Sequence, residues 1–186
     1  RFKFGIPPTK QGDYAYLLHI IESLKNNGKA AVILPYGVLF RGNTEEDIRK
    51  KIIEEKYIKS IIGLPSNLFY GTGIPACIII IDKDEEKKNK GIFIINAGDG
   101  YQKDGPKNRL REMDVRKIVE TYKNHESIEN FSRFINYEEI KKNNYNLNIS
   151  RYVPNKKIED EHDVDAHING GIPEKDIEQL NYYWNT

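Results

Sequence analysis

The sequence predicts an α/β fold: an otherwise parallel sheet that finishes in an antiparallel hairpin strand. Three observations carry this. Helical and strand patterns alternate from residue 13 to residue 64. The run Lys-Ala-Ala-Val-Ile-Leu at 29–34, ended by Pro35, is continuously apolar after its first residue, as expected of a strand buried on both faces in a parallel sheet. The stretch between the strands expected at 58–64 and 74–82 is too short for a helical crossover, so those two strands must pair antiparallel.

The elements follow in order. Residues 1–12 read as a loop broken by Gly5, Pro7, Pro8 and Gly12. Asp13 is placed as an N-cap, and Tyr14, Leu17, Leu18, Ile21 and Leu24 recur at helical spacing. Asn26, Asn27 and Gly28 are expected to close that helix through a left-handed residue. Thr44 caps the next helix, with Asp47 in a weak capping box and Ile48, Ile52 and Ile53 as its buried stripe. The hairpin strand carries four consecutive isoleucines, Ile78 to Ile81. A further strand is expected at 91–97 and a polar, basic loop at 98–111, followed by a helix capped by Asp114. A short strand at 132–136 and a helical turn from Tyr137 come next. Residues 143–151 are polar, and 145–152 read as a strand-like arm. A charged segment follows at 156–165, then a helix after Gly-Gly-Ile-Pro at 170–173, with Ile177, Leu180 and Trp184 on one face.

Composition narrows the function classes. The chain has 186 residues, enough for one domain or one domain with an appendage. A formal net charge of +1 excludes a general basic surface for nucleic acid, so any DNA contact must come from a local patch or from partner chains. Cys77 is the sole cysteine, so no internal disulfide forms, a thiolate metal cluster is not expected, and a reducing, cytoplasmic setting is. No apolar run approaches the roughly 18 residues of a membrane span. The first residues offer neither a signal-peptide core nor an initiator Met, which points to a sequence that starts inside a longer protein.

Several blocks carry a resemblance. They are Gly-Asp-Tyr-Ala-Tyr-Leu-Leu-His (12–19), Gly-Lys-Ala-Ala-Val-Ile-Leu-Pro-Tyr-Gly-Val-Leu-Phe-Arg-Gly (28–42) and Ile-Gly-Leu-Pro-Ser-Asn-Leu-Phe-Tyr-Gly-Thr-Gly-Ile-Pro-Ala-Cys-Ile (62–78). Asn-Arg-Leu-Arg (108–111), Tyr-Asn-Leu-Asn-Ile-Ser-Arg-Tyr (145–152) and the start at 170–173 continue them. In this order they resemble the modification (M) subunit of type I restriction–modification systems. That resemblance implies the C-terminal half of a class I S-adenosylmethionine-dependent methyltransferase sheet, Rossmann-like, with strands five, six and seven at 29–34, 58–64 and 74–82. It implies 1–136 as part of the catalytic domain and 137–186 as a helical and extended appendage whose terminal helix, with Tyr182, Tyr183 and Trp184, meets another subunit. It further implies methyl transfer from S-adenosylmethionine to the exocyclic amine of adenine in duplex DNA. The implied partners are a specificity subunit, a restriction subunit and a second modification subunit.

Two family motifs are not in this sequence: the glycine-rich cofactor turn and the Asn-Pro-Pro-Phe (or Tyr) catalytic tetrapeptide. Pro7-Pro8 is not the latter, since Ile6 precedes it and Thr9 follows. No catalytic residue is therefore assigned, and these residues alone are not expected to bind S-adenosylmethionine or methylate DNA. A module that bridges subunits or DNA without catalysis is the alternative, and a methyltransferase for RNA or protein a third reading.

An enzyme acting on a base must first swing it from the stack. An aromatic face then stabilises the displaced base by about 1–3 kcal/mol. Adjacent Phe69 and Tyr70 at the hairpin loop offer one, and the resemblance puts Phe69 in register with a base-stacking aromatic of related adenine methyltransferases. On the residues alone, packing of Phe69 beneath the loop is the favoured reading; the resemblance tips it to stacking. Tyr36, Arg41 and Thr72 are placed at the pocket, with Arg41 against phosphate or cofactor. Asp13 and His19 are read as structural rather than as an acid–base pair. Lys107, Arg109 and Arg111 either meet the DNA backbone or form a solvated basic loop. The test is Arg109→Ala in the full-length assembly: a backbone contact lowers the slope of log K against log salt by about one unit, whereas a solvated charge leaves it unchanged.

Overall fold

Strand pairing around residues 76–82 organises the molecule. The computed structural model describes residues 3–84 and 89–154. The elements are α1 (Asp13–Ser23), β1 (Lys29–Pro35), α2 (Thr44–Glu54), β2 (Ile58–Gly63), β3 (Ala76–Asp82) and β4 (Gly91–Asn96). β5 (Gln102–Asp104), β6 (Lys107–Arg109), α3 (Glu112–Asn124), β7 (Ser132–Asn136) and α4 (Tyr137–Lys142) follow, with single 3-10 turns at Tyr36–Leu39 and Ile149–Arg151. The main sheet runs β1-β3-β2-β4-β7. β3 pairs antiparallel with both β1 and β2, β2 pairs parallel with β4, and β7 returns antiparallel to β4.

The antiparallel pairing of β2 and β3 agrees with expectation, but the hairpin strand is not the end of the sheet. It is inserted between β1 and β2, and the sheet continues through β4 to β7. β3 starts at Ala76 rather than at 74. Pro75 has no amide to donate to a ladder, and Ile74 is exposed.

Register divides the apolar residues between two faces. Ile61, Ile79 and Ile94 sit opposite one another and face α1 and α2, where Leu17, Leu18, Ile21, Ile48, Ile52 and Ile53 complete the larger core. Ile62, Ile78 and Ile95 face the other side, with Phe93 and Ile118 of α3. α3 covers the β2–β4 end of that face. The β1 end stays open among the described residues, and Ile33 is 55% exposed. β1 is thus not buried on both faces, as its unbroken apolar run suggested, because α1 and α2 cover one side alone.

Other expectations need correction. Gly12, Asn43 and Arg111 occupy the N-cap positions, so Asp13 and Thr44 are first helical residues and Asp114 is the third. Asp114 Oδ2 accepts the Arg111 amide at 2.9 Å, which satisfies a donor the helix cannot pair itself. α1 ends on Leu24 in an extended conformation, and Gly28 is not left-handed. The 98–111 stretch is not a plain loop, since β5 and β6 form a two-stranded hairpin within it. Residues 145–152 are not a strand-like arm. They turn through the 3-10 segment, which buries Leu147, Ile149 and Tyr152 in the larger core. Ile140 and Val153 join that core, so residues 137–153, expected to open the appendage, pack with the sheet. The helix expected near the end, with Ile177, Leu180 and Trp184, and the charged segment at 156–165 lie outside the described residues.

Asp82 closes β3 almost fully buried. Its carboxylate meets Lys29 Nζ at 2.9 Å and Lys59 Nζ at 3.7 Å, and Oδ1 accepts the Asp84 amide at 3.1 Å. Burial pushes the carboxyl up, but the Lys29 bond and charge, the amide and Lys59 together hold it below the usual carboxylate value. A carboxyl depressed on folding stabilises above its unfolded pKa and loses that contribution as pH falls through its folded pKa. Asp82→Asn is expected to cost about 1–3 kcal/mol at neutral pH. In urea unfolding, the gap from wild type should close below about pH 4.

Candidate functional site

β1, β2 and β4 run in one direction, so their carboxyl ends, Pro35, Gly63 and Asn96, reach the same edge of the sheet. Open α/β sheets carry their ligand crevices at this edge. Here a cavity of about 260 Å³ is lined by Tyr36, Leu64, Ser66, Pro75, Asn96 and Tyr101, among others. Ile149 and Tyr36 close over Gly63, where a Cβ would lie 2.8 Å from Ile149 Cδ1. A side chain there would force the floor of the crevice apart. Asn96 Nδ2 donates to Val153 O at 3.0 Å, which ties the end of β4 to the 3-10 turn. Burial pushes the Tyr36 phenol up to about 12, with a smaller contribution from Cys77, so it enters the crevice as a neutral hydroxyl. A second cavity of about 380 Å³ lies beside α3 and shares Asn96 and Asp99 with the first. Its cations are occupied: Arg111 by Asp114 at 2.8 and 2.9 Å, and Lys117 over the Phe131 ring at 3.9 Å.

Of the residues singled out in the sequence, Tyr36 alone lines the crevice. Phe69 is half-buried against the smaller core, while Tyr70 is 94% exposed. Lys107 Nζ donates to Phe69 O at 2.8 Å and to Thr72 O at 3.0 Å, so Lys107, Phe69 and Thr72 come together. Thr72 Oγ1 accepts the Ile74 amide at 3.1 Å, a contact within the loop. Arg109 is well exposed, with a long 3.9 Å approach to Asp104. His19 is an exposed helix residue and Asp13 pairs elsewhere.

Arg41 has internal partners. Its Nη1 donates to Asp13 Oδ2 at 2.8 Å and to Glu45 Oε1 at 3.3 Å, linking α1 to α2. Burial raises the Glu45 carboxyl, and Arg41 opposes that. Arg49 Nη1 stands beside this cluster and donates to Arg41 O at 2.8 Å and Val38 O at 3.3 Å. Sequence reasoning missed Glu45 and Arg49, although both fall at helical spacing beside the Ile48 stripe.

Gly37 follows β1, but a Cβ there would lie 2.6 Å from Arg41 Nε, so its bareness accommodates arginine rather than a ligand. Among the described residues, no group of three His, Cys, Asp or Glu is placed to hold a metal ion, and no helix is long and apolar enough to cross a membrane.

A sequence profile of the N-6 DNA methylase family matches residues 1–161. The chain belongs to this family. It is 40% identical over 165 residues to the MjaVII type I restriction enzyme methylase subunit of Methanocaldococcus jannaschii, covering 87% of this chain and 28% of that protein. It is 31% identical over 176 residues to the MpnII methylase subunit of Mycoplasma pneumoniae, covering 94% of the chain and 32% of the relative. Among solved structures, the type I methyltransferase subunit of Streptococcus thermophilus superposes with a TM-score of 0.76 at 41% identity, over 80% of this chain and 32% of that one. The chain thus spans about a third of the proteins it matches.

The Arg41 cluster generates a test. Arg41→Met strands the nearly buried Glu45 carboxylate. The loss should be about 2 kcal/mol, below the ~3–5 of a fully buried pair because Arg41 remains partly exposed. Denaturant unfolding reads it, and the salt slope of DNA binding should stay unchanged.

Proposed function

We propose that this chain is the base-side part of a type I modification subunit that methylates the exocyclic amine of adenine in duplex DNA, with S-adenosylmethionine as donor. The observation that carries the reading is the crevice at the carboxyl ends of β1, β2 and β4 in a member of the N-6 DNA methylase family. Its volume of about 260 Å³ suits a single planar base, and its rim joins aromatic faces to amide and hydroxyl groups.

In this proposal the remainder of a longer protein supplies the cofactor turn, the catalytic tetrapeptide and the strands that continue the sheet beyond β1. The position of β1 at the edge of the described sheet supports it. S-adenosylmethionine supplies the electrophilic methyl group when bound; the residues here would shelter and orient the base. Phe69 and Tyr70, outside the crevice lining but on the loop whose ends, Leu64, Ser66 and Pro75, line it, are the proposed platform. Phe69 is backed by apolar side chains of the smaller core, and Tyr70 is exposed. The specificity subunit would read the target sequence, and a second modification subunit and the restriction subunit would complete the assembly.

Phe69→Ala in the assembled full-length enzyme tests this. Stacking of about 1–3 kcal/mol predicts roughly a 5- to 150-fold loss of methyl transfer to duplex DNA at nearly unchanged DNA affinity. Methylation at the wild-type rate would overturn the platform. Transfer to RNA or protein instead of DNA would overturn the substrate.

A further inference from the structure

The hairpin at 102–109 has no place in the proposed chemistry, yet two of its residues, Lys107 and Asn108, are bonded to the aromatic loop. Lys107 Nζ spans two carbonyls of that loop, Phe69 O at 2.8 Å and Thr72 O at 3.0 Å. The Asn108 amide donates to Asn67 O at 2.9 Å, and its side-chain Nδ2 to Ser66 O at 2.8 Å. Four donor contacts from two consecutive residues thus fix the loop on both sides of Phe69 and Tyr70. Asn108 is 5% exposed, and its Oδ1 has no protein hydrogen-bond partner. The contacts of Asn108 to the loop are both donations.

We infer that Lys107 and Asn108 are positioning residues that hold the 65–73 loop rigid, so that its aromatic pair receives an unstacked base without first being ordered. This rests on the reading of Phe69 and Tyr70 as the base platform. A loop free to move would lose conformational entropy when the base arrives, and that cost would subtract from stacking. Two of the three N–H donors of the Lys107 ammonium are taken by the carbonyls of Phe69 and Thr72. In this inference Lys107 acts on the loop, in place of the DNA-backbone contact first expected of it.

The test uses the full-length subunit assembled with its specificity subunit and a cognate duplex carrying 2-aminopurine at the methylated position. Lys107→Met keeps the stem and removes the donors; Lys107→Arg keeps two donors. Asn108→Ala removes one tether together with the unpaired Oδ1, so it is the variant for which folding is least at risk. For Lys107→Met and Asn108→Ala the expected result is a weaker 2-aminopurine signal and a fall in kcat of about tenfold or more, since small misplacements at a reacting group cost up to ~100-fold. KM for DNA should stay within about twofold. Lys107→Arg should recover most of both signals.

The salt slope of DNA binding should be unchanged in Lys107→Met. A drop of about 0.9 would mark a phosphate contact and overturn the inference. Wild-type fluorescence and kcat in Lys107→Met and Asn108→Ala, alongside losses in Phe69→Ala, would overturn the tether and leave the platform standing. Wild-type values in Phe69→Ala as well would overturn both.

Discussion

β3 must find hydrogen-bond partners on both of its edges, and the rest of the molecule depends on how it does so. A buried strand with one unpaired edge would leave a row of amides and carbonyls unsatisfied. β2 can serve one edge through a short reversal. The other edge is served by β1, which lies far back in the sequence. Since β3 is antiparallel to both, β1 and β2 are parallel to each other, and their carboxyl ends share one side. β4 joins β2 in the same direction. The crevice is a consequence of this pairing: three strand ends converge, and the loop leading into β3 crosses the same edge.

The cost of that arrangement falls on the loop. Residues 64–75 must reverse direction, cross the end of the sheet and return with little regular structure of their own. Their carbonyls point away from any ladder. Lys107 and Asn108 satisfy several of them from outside, which explains why a short hairpin follows β4 where the sequence offers only polar, basic residues. At β1 a similar logic applies. The turn from Pro35 to Thr44 bends around Arg41, and Asp13, Glu45 and Arg49 close a charged cluster there.

What was legible in the sequence follows the range of the interactions involved. Ile48, Ile52 and Ile53 announced their helix face because spacing along one helix is local. The β2–β3 hairpin was legible because a short connection admits one sense of pairing. The insertion of β3 beside β1 came only with the family resemblance, which implies a hairpin inserted beside the strand at 29–34, since nothing near 76–82 names a partner some 45 positions earlier. The internal partners of Lys107 and Arg41 were not legible either, for a related reason. A basic residue in a polar segment looks the same whether it faces a phosphate, a carboxylate or two carbonyls. The choice lies in what folds against it. Caps shifted by a residue: Asp13 pairs with Arg41, and Asn43, with a φ of 57°, stands at the cap position before Thr44.

Charge accounting bears on how such a chain meets DNA. Net charge is +1, and the cations nearest the crevice and loop are largely committed: Arg41 to two carboxylates, Arg111 to Asp114, Lys107 to two carbonyls. Arg109, exposed on β6, is the least constrained of the residues first read as DNA contacts. Binding driven by counterion release needs several phosphates neutralised at once, and the described cations beside this edge are mostly taken by internal partners. On the function proposed above, the groups at the edge would act on a base that another surface had already brought there, so that affinity and base handling would be separate tasks.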